Sequence, residues 1–407
     1  MRQANEMNDV SKAPEIDHES IAKHRLARVQ TEIQMRDMDG VVLYDPINVR
    51  YATSSRNMLV WCLHNPVRYA LIPAQGRPTI FEFRHCEHLS SELMTEVDIR
   101  PAIGWSFFVA GRNVAVRARA WAADVAAVLW RDMGKGARRI ALDRIDPPGL
   151  DALRGMGIQV GDAQEIMEMA RSIKCADEIR AMRWAVAVCE LGMQRVMDSL
   201  VPGITENELW ATFHWNNIAH GGEYIETRLL NAGRRTAPWF QECSDYAIQD
   251  GDVVCHDADM IGPYGFCVDM SRTHYCGEKP PPGAVRSAYA AAVEQVEFNT
   301  GLLKPGMSFR EYADKAWPVP LLYQSNHYAT TVHGVGLGHE WPRVVYPEDW
   351  VDGGCEGHFQ PGMTLCVESY ISGTGLDFGI KYTDQVLVTE NGVDVLSRFP
   401  KNRMLSG

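Results

Sequence analysis

One phrase of helix punctuation occurs twice in this chain. Leu200-Val-Pro-Gly-Ile-Thr-x-x-Glu208 and Leu303-Lys-Pro-Gly-Met-Ser-x-x-Glu311 lie about one hundred residues apart and match in order and content. In each, Pro-Gly stops one helix, and Thr or Ser followed three residues later by Glu opens the next as a capping box. The helix before the first phrase is legible from Ala176 to Leu200, where Ile179, Met182, Val186, Cys189 and Met193 repeat at three- and four-residue steps. The helix after it ends at Gly221-Gly222. The second phrase is flanked by a helix from about Gly283 to Leu303 and by another opened at Ser308. Strand-like sequence follows each pair. A duplicated helix–helix–sheet unit is therefore expected in the carboxy-terminal part of the chain.

The strands after the first copy carry an acidic stretch, Asp257 to Thr273, reading DADMIGPYGFCVDMSRT. Val253, Val254 and Cys255 read as a strand. Strand side chains alternate faces, so Asp257 and Asp259 are expected on one side. Gly262, Pro263 and Gly265 are turn residues. A return strand from Phe266 to Met270 would bring Asp269 alongside the first pair. Three carboxylates in one place repel unless a cation sits among them. The alternative is a solvated acidic hairpin.

The strands of the second copy supply two further candidates. His333 lies in Thr331-Val-His-Gly-Val-Gly-Leu-Gly-His339, where glycines permit close approach of backbone or substrate. Glu368 lies in the apolar stretch Gly362-Met-Thr-Leu-Cys-Val-Glu-Ser369, and a carboxylate inside a buried strand needs a cation or hydrogen-bond donors. Asp257, Asp259, Asp269, His333 and Glu368 together make an oxygen-rich set with one imidazole. Such a set suits iron, manganese, zinc or cobalt better than a thiolate structural site. The His85-Cys86-Glu87-His88 cluster has no matching partner cluster and reads as polar surface.

The rest of the chain reads as a second domain. A loose arm covers 1–18. A helix from about Ile21 to Met35 precedes strands at Gly40–Tyr44, Tyr69–Ile72, Thr79–Phe83 and Arg139–Leu142, with a long helix from Arg112 to Met133. Alternating strands and helices imply an α/β domain over 19–165, followed by the duplicated domain over 166–407. At 407 residues, two domains are the natural expectation. The net charge of −12 argues against nucleic acid or an anionic membrane surface and suits a small cationic or zwitterionic substrate. The 10 cysteines include no CxxC pair, the amino terminus lacks an apolar signal segment, and no run could span a bilayer. A cytoplasmic protein is expected.

Asp-x-Asp, then Asp-x-Ser-Arg-Thr, His-Gly-Val-Gly-Leu and Pro-Gly-Met-x-x-x-Val-Glu resemble the pita-bread superfamily of methionine and proline aminopeptidases, prolidases and creatinase. The likeness covers nearly the whole chain. The wording IETRLLNAGRRTAPWFQEC, HDADMIGPYGFCVDMSRT and HGVGLGHEWP is similar to its dimethylsulfoniopropionate lyase branch. The resemblance implies an α/β amino-terminal domain and an α+β pita-bread carboxy-terminal domain with internal pseudo-two-fold duplication. It implies a divalent metal at Asp257, Asp259, Asp269, His333 and Glu368, a substrate-contacting Tyr328, and a homodimer.

Two positions depart from the pattern. The superfamily's last metal ligand, a glutamate, is replaced by Thr383 in Lys381-Tyr-Thr-Asp-Gln385, which leaves one ion, a weakly held ion or none as alternatives. The lyase branch's proton-abstracting aspartate is replaced by His339, and histidine also serves as a base near neutral pH. With His339 or Tyr328 as base, a β-elimination would release dimethyl sulfide and acrylate. Trp239, Phe240, Tyr264 and Trp341 are candidates to face an onium group. The alternatives are an Xaa-Pro aminopeptidase or creatinase-like C–N hydrolase, in which metal activates water, and a non-catalytic relative.

Overall fold

The structure is a computed structural model that describes residues 10–401, apart from 11, 92, 94 and 95. The described residues divide into two compact units, Asp17–Arg171 and the part from Ser172 onward, to which the described residues before Asp17 also belong.

The Asp17–Arg171 unit is built on a mixed sheet of β1 (Gly40–Leu43), β2 (Tyr69–Pro73), β3 (Thr79–Glu82), β4 (Asp98–Pro101), β5 (Arg139–Leu142) and β6 (Gln159–Asp162), in the order β4-β3-β2-β1-β5-β6. The central strands are the apolar runs visible in the sequence. The edge strands β4 and β6 read DIRP and QVGD and carry no such run, because an edge strand needs no buried face on both sides. The Val114–Met133 helix packs Trp121 against Tyr44, Tyr69 and Trp105, a fully buried aromatic group that dominates this core. After β1, Asp45 caps the Pro46–Thr53 helix by accepting from Ile47 N at 2.9 Å. His85 and His88 are exposed and belong to no group of metal-ligating atoms among the described residues.

The second unit contains the duplication. Helices span Ala176–Ser199 and Glu206–Ala219 in the first copy, and Gly283–Leu302 and Phe309–Lys315 in the second. Thr205 and Glu208 form a full capping box; Ser308 accepts from Glu311 N at 3.0 Å. The backbone repeats as well as the sequence. Gly203 N donates to Ile248 O at 2.7 Å and Gly306 N to Phe359 O at 2.8 Å; Glu206 N donates to Tyr246 O at 3.1 Å and Phe309 N to Gly357 O at 3.0 Å. Each copy thus ties its helix start to the strand-like segment that follows in the same way.

The strands of the first copy are β7 (Tyr224–Ile225), β8 (Leu230–Ala232), β9 (Val253–Asp257), β10 (Met260–Ile261), β11 (Cys267–Val268) and β12 (Ser271–Tyr275). They form two small sheets, β11-β10-β7 and β12-β9-β8. The second copy forms one antiparallel sheet, β14-β13-β15-β16-β17, from β13 (Thr330–Val335), β14 (His339–Val345), β15 (Thr364–Ile371), β16 (Ile380–Thr389) and β17 (Gly392–Val395). β12 and β16 are stitched together where the copies meet: Arg272 Nη1 donates to Thr383 O at 2.8 Å, Thr273 Oγ1 to Lys381 O at 2.8 Å, and Lys381 N to Thr273 Oγ1 at 3.0 Å. No helix among the described residues is long and apolar enough to cross a membrane.

Candidate metal and substrate centre

Carboxylates from the first copy and side chains from the second meet at this seam. The hairpin is tighter than simple alternation predicts. β9 ends at Asp257, and the chain then kinks at Asp259, which has φ +35°. That value lies in the left-handed region, uncommon for a residue with a side chain. The kink turns Asp259 toward Asp257 and Asp269, so that oxygens of all three lie within 4.8 Å of one another. Thr227 fixes Asp259 by donating to its Oδ2. The outcome matches the expected convergence, but a kink rather than strand alternation produces it.

His333 is delivered by β13. Its Nδ1–H donates to the Gly334 carbonyl at 3.0 Å, which leaves Nε2 pointing at Asp269 Oδ2, 2.9 Å away, and at Glu368 Oε1, 3.4 Å away. The glycines around it are required by packing. A Cβ on Gly334 would sit 2.4 Å from Trp341 O, and one on Gly336 would sit 2.4 Å from the Glu340 carboxylate. Glu340 is itself held in a buried ion pair with Lys174 at 2.8 Å and accepts from Leu337 N at 3.0 Å. A register shift between His333 and Gly334 lets β14 bring His339 opposite Val335. The two imidazole centroids are 4.9 Å apart. His339 Nε2 is 3.2 Å from Asp259 Oδ1 and 3.5 Å from Asp269 Oδ2, and its side chain is 43% exposed.

Glu368 lies on the fully buried strand β15. Its sequence position opposite Thr383 on β16 is matched by contact: the Thr383 hydroxyl is 3.1 Å from Glu368 Oε2. Thr383 thus faces the centre, and Asp384 faces away from it and pairs with Arg272 at 2.7 Å. What sequence reasoning missed is Lys381. Its ammonium donates to Glu368 Oε2, to Thr383 Oγ1 at 2.7 Å and to Ser271 Oγ at 3.0 Å, and lies 3.3 Å from Asp257 Oδ2. Ser271 in turn donates to Asp257 Oδ1. The available signal was the one used for Glu368, a charge inside an apolar strand, two residues from Thr383 and so on the same face.

The electrostatics follow from this crowding. Burial pushes the Asp257 carboxyl well above its ordinary range; Lys381 opposes that, and the negative neighbours Asp259, Asp269 and Glu368 add to it. Burial acts in the same upward direction on Asp269, but the bond to His333 and the charges of both histidines win and hold it below the usual carboxylate range. Burial disfavours charge on Lys381, yet Asp257 and Glu368 hold its ammonium firmly protonated. For His339 burial lowers and the contacts with Asp259 and Cys267 raise, leaving it pushed up to about 12. Asp269 Oδ1 and Glu368 Oε1 are buried and accept no hydrogen bond. Buried carboxylate oxygens without hydrogen-bond donors suit a cation. Nitrogen atoms of His333 and His339 and an oxygen of Asp269 lie within 4.8 Å of one another, a mixed N/O set that fits a divalent transition metal.

The aromatic candidates separate. Tyr328 and Trp239 cover Lys381, with ring centroids 5.4 and 6.0 Å from its Nζ. Phe240 lies 5.6 Å from the Tyr328 ring and is 62% exposed. Trp341 instead packs edge-on against Phe309 in the core, and the Tyr264 hydroxyl faces Pro14 O at 3.4 Å. Burial, reinforced by Glu368, raises the Tyr328 phenol well above its ordinary value.

The model of metallopeptidase family M24 matches residues 180–390. The chain is 38% identical to the dimethylsulfoniopropionate lyase DddP of Roseobacter denitrificans over 393 residues, covering 95% of this chain and 88% of that protein. It is 38% identical to the enzyme of the same name from Roseovarius nubinhibens over 396 residues, covering 96% and 89%. Among solved structures, an Xaa-Pro dipeptidase from Bacillus anthracis superposes with a TM-score of 0.75 at 20% identity, covering 93% of this chain and 98% of that one. Dipeptidase PepE from Mycobacterium ulcerans gives 0.73 at 23% identity, covering 95% and 98%. These solved structures share the two-part pita-bread fold.

Proposed function

The chain belongs to metallopeptidase family M24, and within it we propose that the protein is a carbon–sulfur lyase that cleaves dimethylsulfoniopropionate to dimethyl sulfide and acrylate. The likeness to two lyases of that name along nearly the full chain supports the substrate. One observation carries the choice of lyase over peptidase: 38% identity to the lyases over 95% and 96% of the chain, against 20 and 23% to the solved dipeptidases. An elimination needs no metal-bridged water. It requires a charge to hold the substrate carboxylate, a base at the adjacent carbon, and a path for the leaving sulfide.

The reaction balances simply. A base takes the proton from the carbon next to the carboxylate, those electrons form the C=C bond, and the C–S bond breaks with its pair going to sulfur. Asp257, Asp259, Asp269, His333 and Glu368 form the metal-holding set, with iron, manganese, zinc or cobalt as the class of ion and one ion as the number. The bound ion would neutralise the carboxylate of the substrate and make the adjacent hydrogen more acidic. His339 is the base, since it reaches the cleft surface and carries an imidazole. It acts in its neutral form, which requires that Asp259 and Asp269 have another positive partner. The raised phenol of Tyr328 keeps its proton at neutral pH, so Tyr328 serves as a hydrogen-bond donor or aromatic wall before it serves as a base. Tyr328, Phe240 and Trp239 offer π faces to the sulfonium.

A homodimer in the cytoplasm completes this reading. The exposed Phe107 and Phe108 supply apolar surface for self-association, and all 10 cysteines are free thiols. The test is a headspace assay for dimethyl sulfide beside assays on Xaa-Pro dipeptides and small amidino compounds. Sulfide release with no amide cleavage is expected; amide cleavage without sulfide would replace the lyase by a hydrolase.

A further inference from the structure

We propose that Lys381 is a resident cation that takes the place of a second metal ion, so that the centre admits a single ion, on its histidine side only. This rests on the metal-holding role assigned above to Asp259, Asp269 and His333, and it narrows that reading by giving Asp257 and Glu368 Oε2 to Lys381, the residue that sets the number of ions.

The cluster has two unlike halves. Around Lys381 lie Asp257, Glu368, Ser271 and Thr383, two carboxylates and two hydroxyls. An all-oxygen cage of this kind suits a hard cation, and here the lysine's ammonium fills it. The ammonium is spent on oxygens at 2.7, 3.0 and 3.3 Å and on Glu368 Oε2. Its side chain is 1% exposed, beneath the Tyr328 and Trp239 rings. Leaving the cage would bury an unpaired charge, which is costly. The other half holds Asp259, Asp269 and His333, with the base His339 at its exposed edge, and there buried Asp269 Oδ1 accepts no hydrogen bond. That unpartnered oxygen, on the carboxylate whose Oδ2 lies 2.9 Å from His333 Nε2, marks where an ion fits.

Lys381 and Thr383 also explain each other. A glutamate at 383 would add a third carboxylate to the cage and pair with the ammonium beside it. Threonine instead gives Lys381 a neutral acceptor and keeps the cage at two negative charges. The replacement of a ligand at Thr383 is therefore one half of an exchange, a bridging anion and an ion for a fixed ammonium.

The experiment is a metal count on the full-length protein. Metal-stripped wild type, Thr383→Glu, and the double variant Lys381→Met/Thr383→Glu are reconstituted with excess Co2+ or Mn2+ and desalted. Metal per chain is then measured by elemental analysis, with circular dichroism checking the fold. We expect one ion in wild type, still one in Thr383→Glu because Lys381 remains, and two in the double variant. Two ions in wild type, two in Thr383→Glu, or a folded double variant that holds only one would each overturn the role of Lys381. If the double variant fails to fold, the Thr383→Glu count alone decides. A wild type that binds no ion, with a double variant that gains one, would overturn the metal reading above while supporting Lys381 as the barrier. No ion in either would overturn both.

Discussion

The two faces of β16 present two buried ion pairs built to opposite ends. On one face Arg272 meets Asp384 at 2.7 Å. Its other bonds go to Ser271 O at 2.8 Å, Thr383 O at 2.8 Å and Phe399 O at 3.3 Å, and its guanidinium stacks 4.2 Å from the Tyr382 ring centroid. Asp384 also accepts from Ser397 at 2.9 Å and lies 3.3 Å from Lys401. On the other face Lys381 meets Glu368 and Asp257, but nearby Asp269 Oδ1 accepts no hydrogen bond and Glu368 Oε1 faces only the His333 ring nitrogen, 3.4 Å away. Both pairs are buried, so burial alone distinguishes nothing. The difference lies in the anions: saturated on the Arg272 face, where the pair ties the copies together, and unsaturated on the Lys381 face, where a ligand is owed. A planar guanidinium suits the first task and a compact ammonium the second.

The largest effect should come from the unsaturated face. Asp269→Ala is expected to remove bound metal and to lower turnover by more than about a hundredfold, beyond the loss typical of an outer-shell change. Metal analysis and a sulfide assay on the same preparation would show it, and a fully active variant would end the metal role given to Asp269. The saturated face should respond in stability instead. Arg272→Met leaves Asp384 buried with reduced compensation and should cost about 3–5 kcal/mol, read from denaturant unfolding, with metal per chain unchanged in the folded fraction. A shift in metal content equal to that of Asp269→Ala would erase the contrast between the faces.

Lys381→Met sharpens it further. This variant should also lose stability, but saturating Co2+ should restore more than it adds to wild type, by up to about 2.7 kcal/mol at a hundredfold excess over Kd. Arg272→Met should show no such extra recovery. Melting temperatures with and without metal separate the cases. The smallest effect concerns acid. Burial raises the Asp384 carboxyl, but Arg272 and Lys401 outweigh it and hold the group below its ordinary value. A carboxyl depressed in the folded state adds stability above its unfolded pKa of roughly 3.9, and loses it as pH falls through the lower folded value. Asp384→Asn should therefore show a shallower loss of stability below about pH 4 than wild type, although it is less stable throughout. A steeper acid limb in the variant would contradict the assigned sign.

Much of this was legible in the chain. The capping residues Thr205 and Ser308 announced the repeat because caps are local and need no tertiary context. Asp257, Asp259, Asp269, His333 and Glu368 stand out as candidates because charges amid turns and apolar strands have few uses, and the structure brings their side chains close together. Asp259 was placed by the wrong device, since strand alternation is readable and a kink at φ +35° is not. The DIRP and QVGD strands were invisible because their pairing depends on a sheet edge supplied by distant residues. The role of Lys381 is not legible in the sequence because its partners, Asp257 and Glu368, come from other strands.

The repeated backbone bonds of the helix starts have a last consequence. They leave the helix starts of the two copies alike while their contributions at the seam differ: aspartates from the first, and both imidazoles, the ammonium and a lone glutamate from the second. Neither copy owns a working set of groups. A charge gained in one repeat therefore shifts the protonation of groups supplied by its sibling.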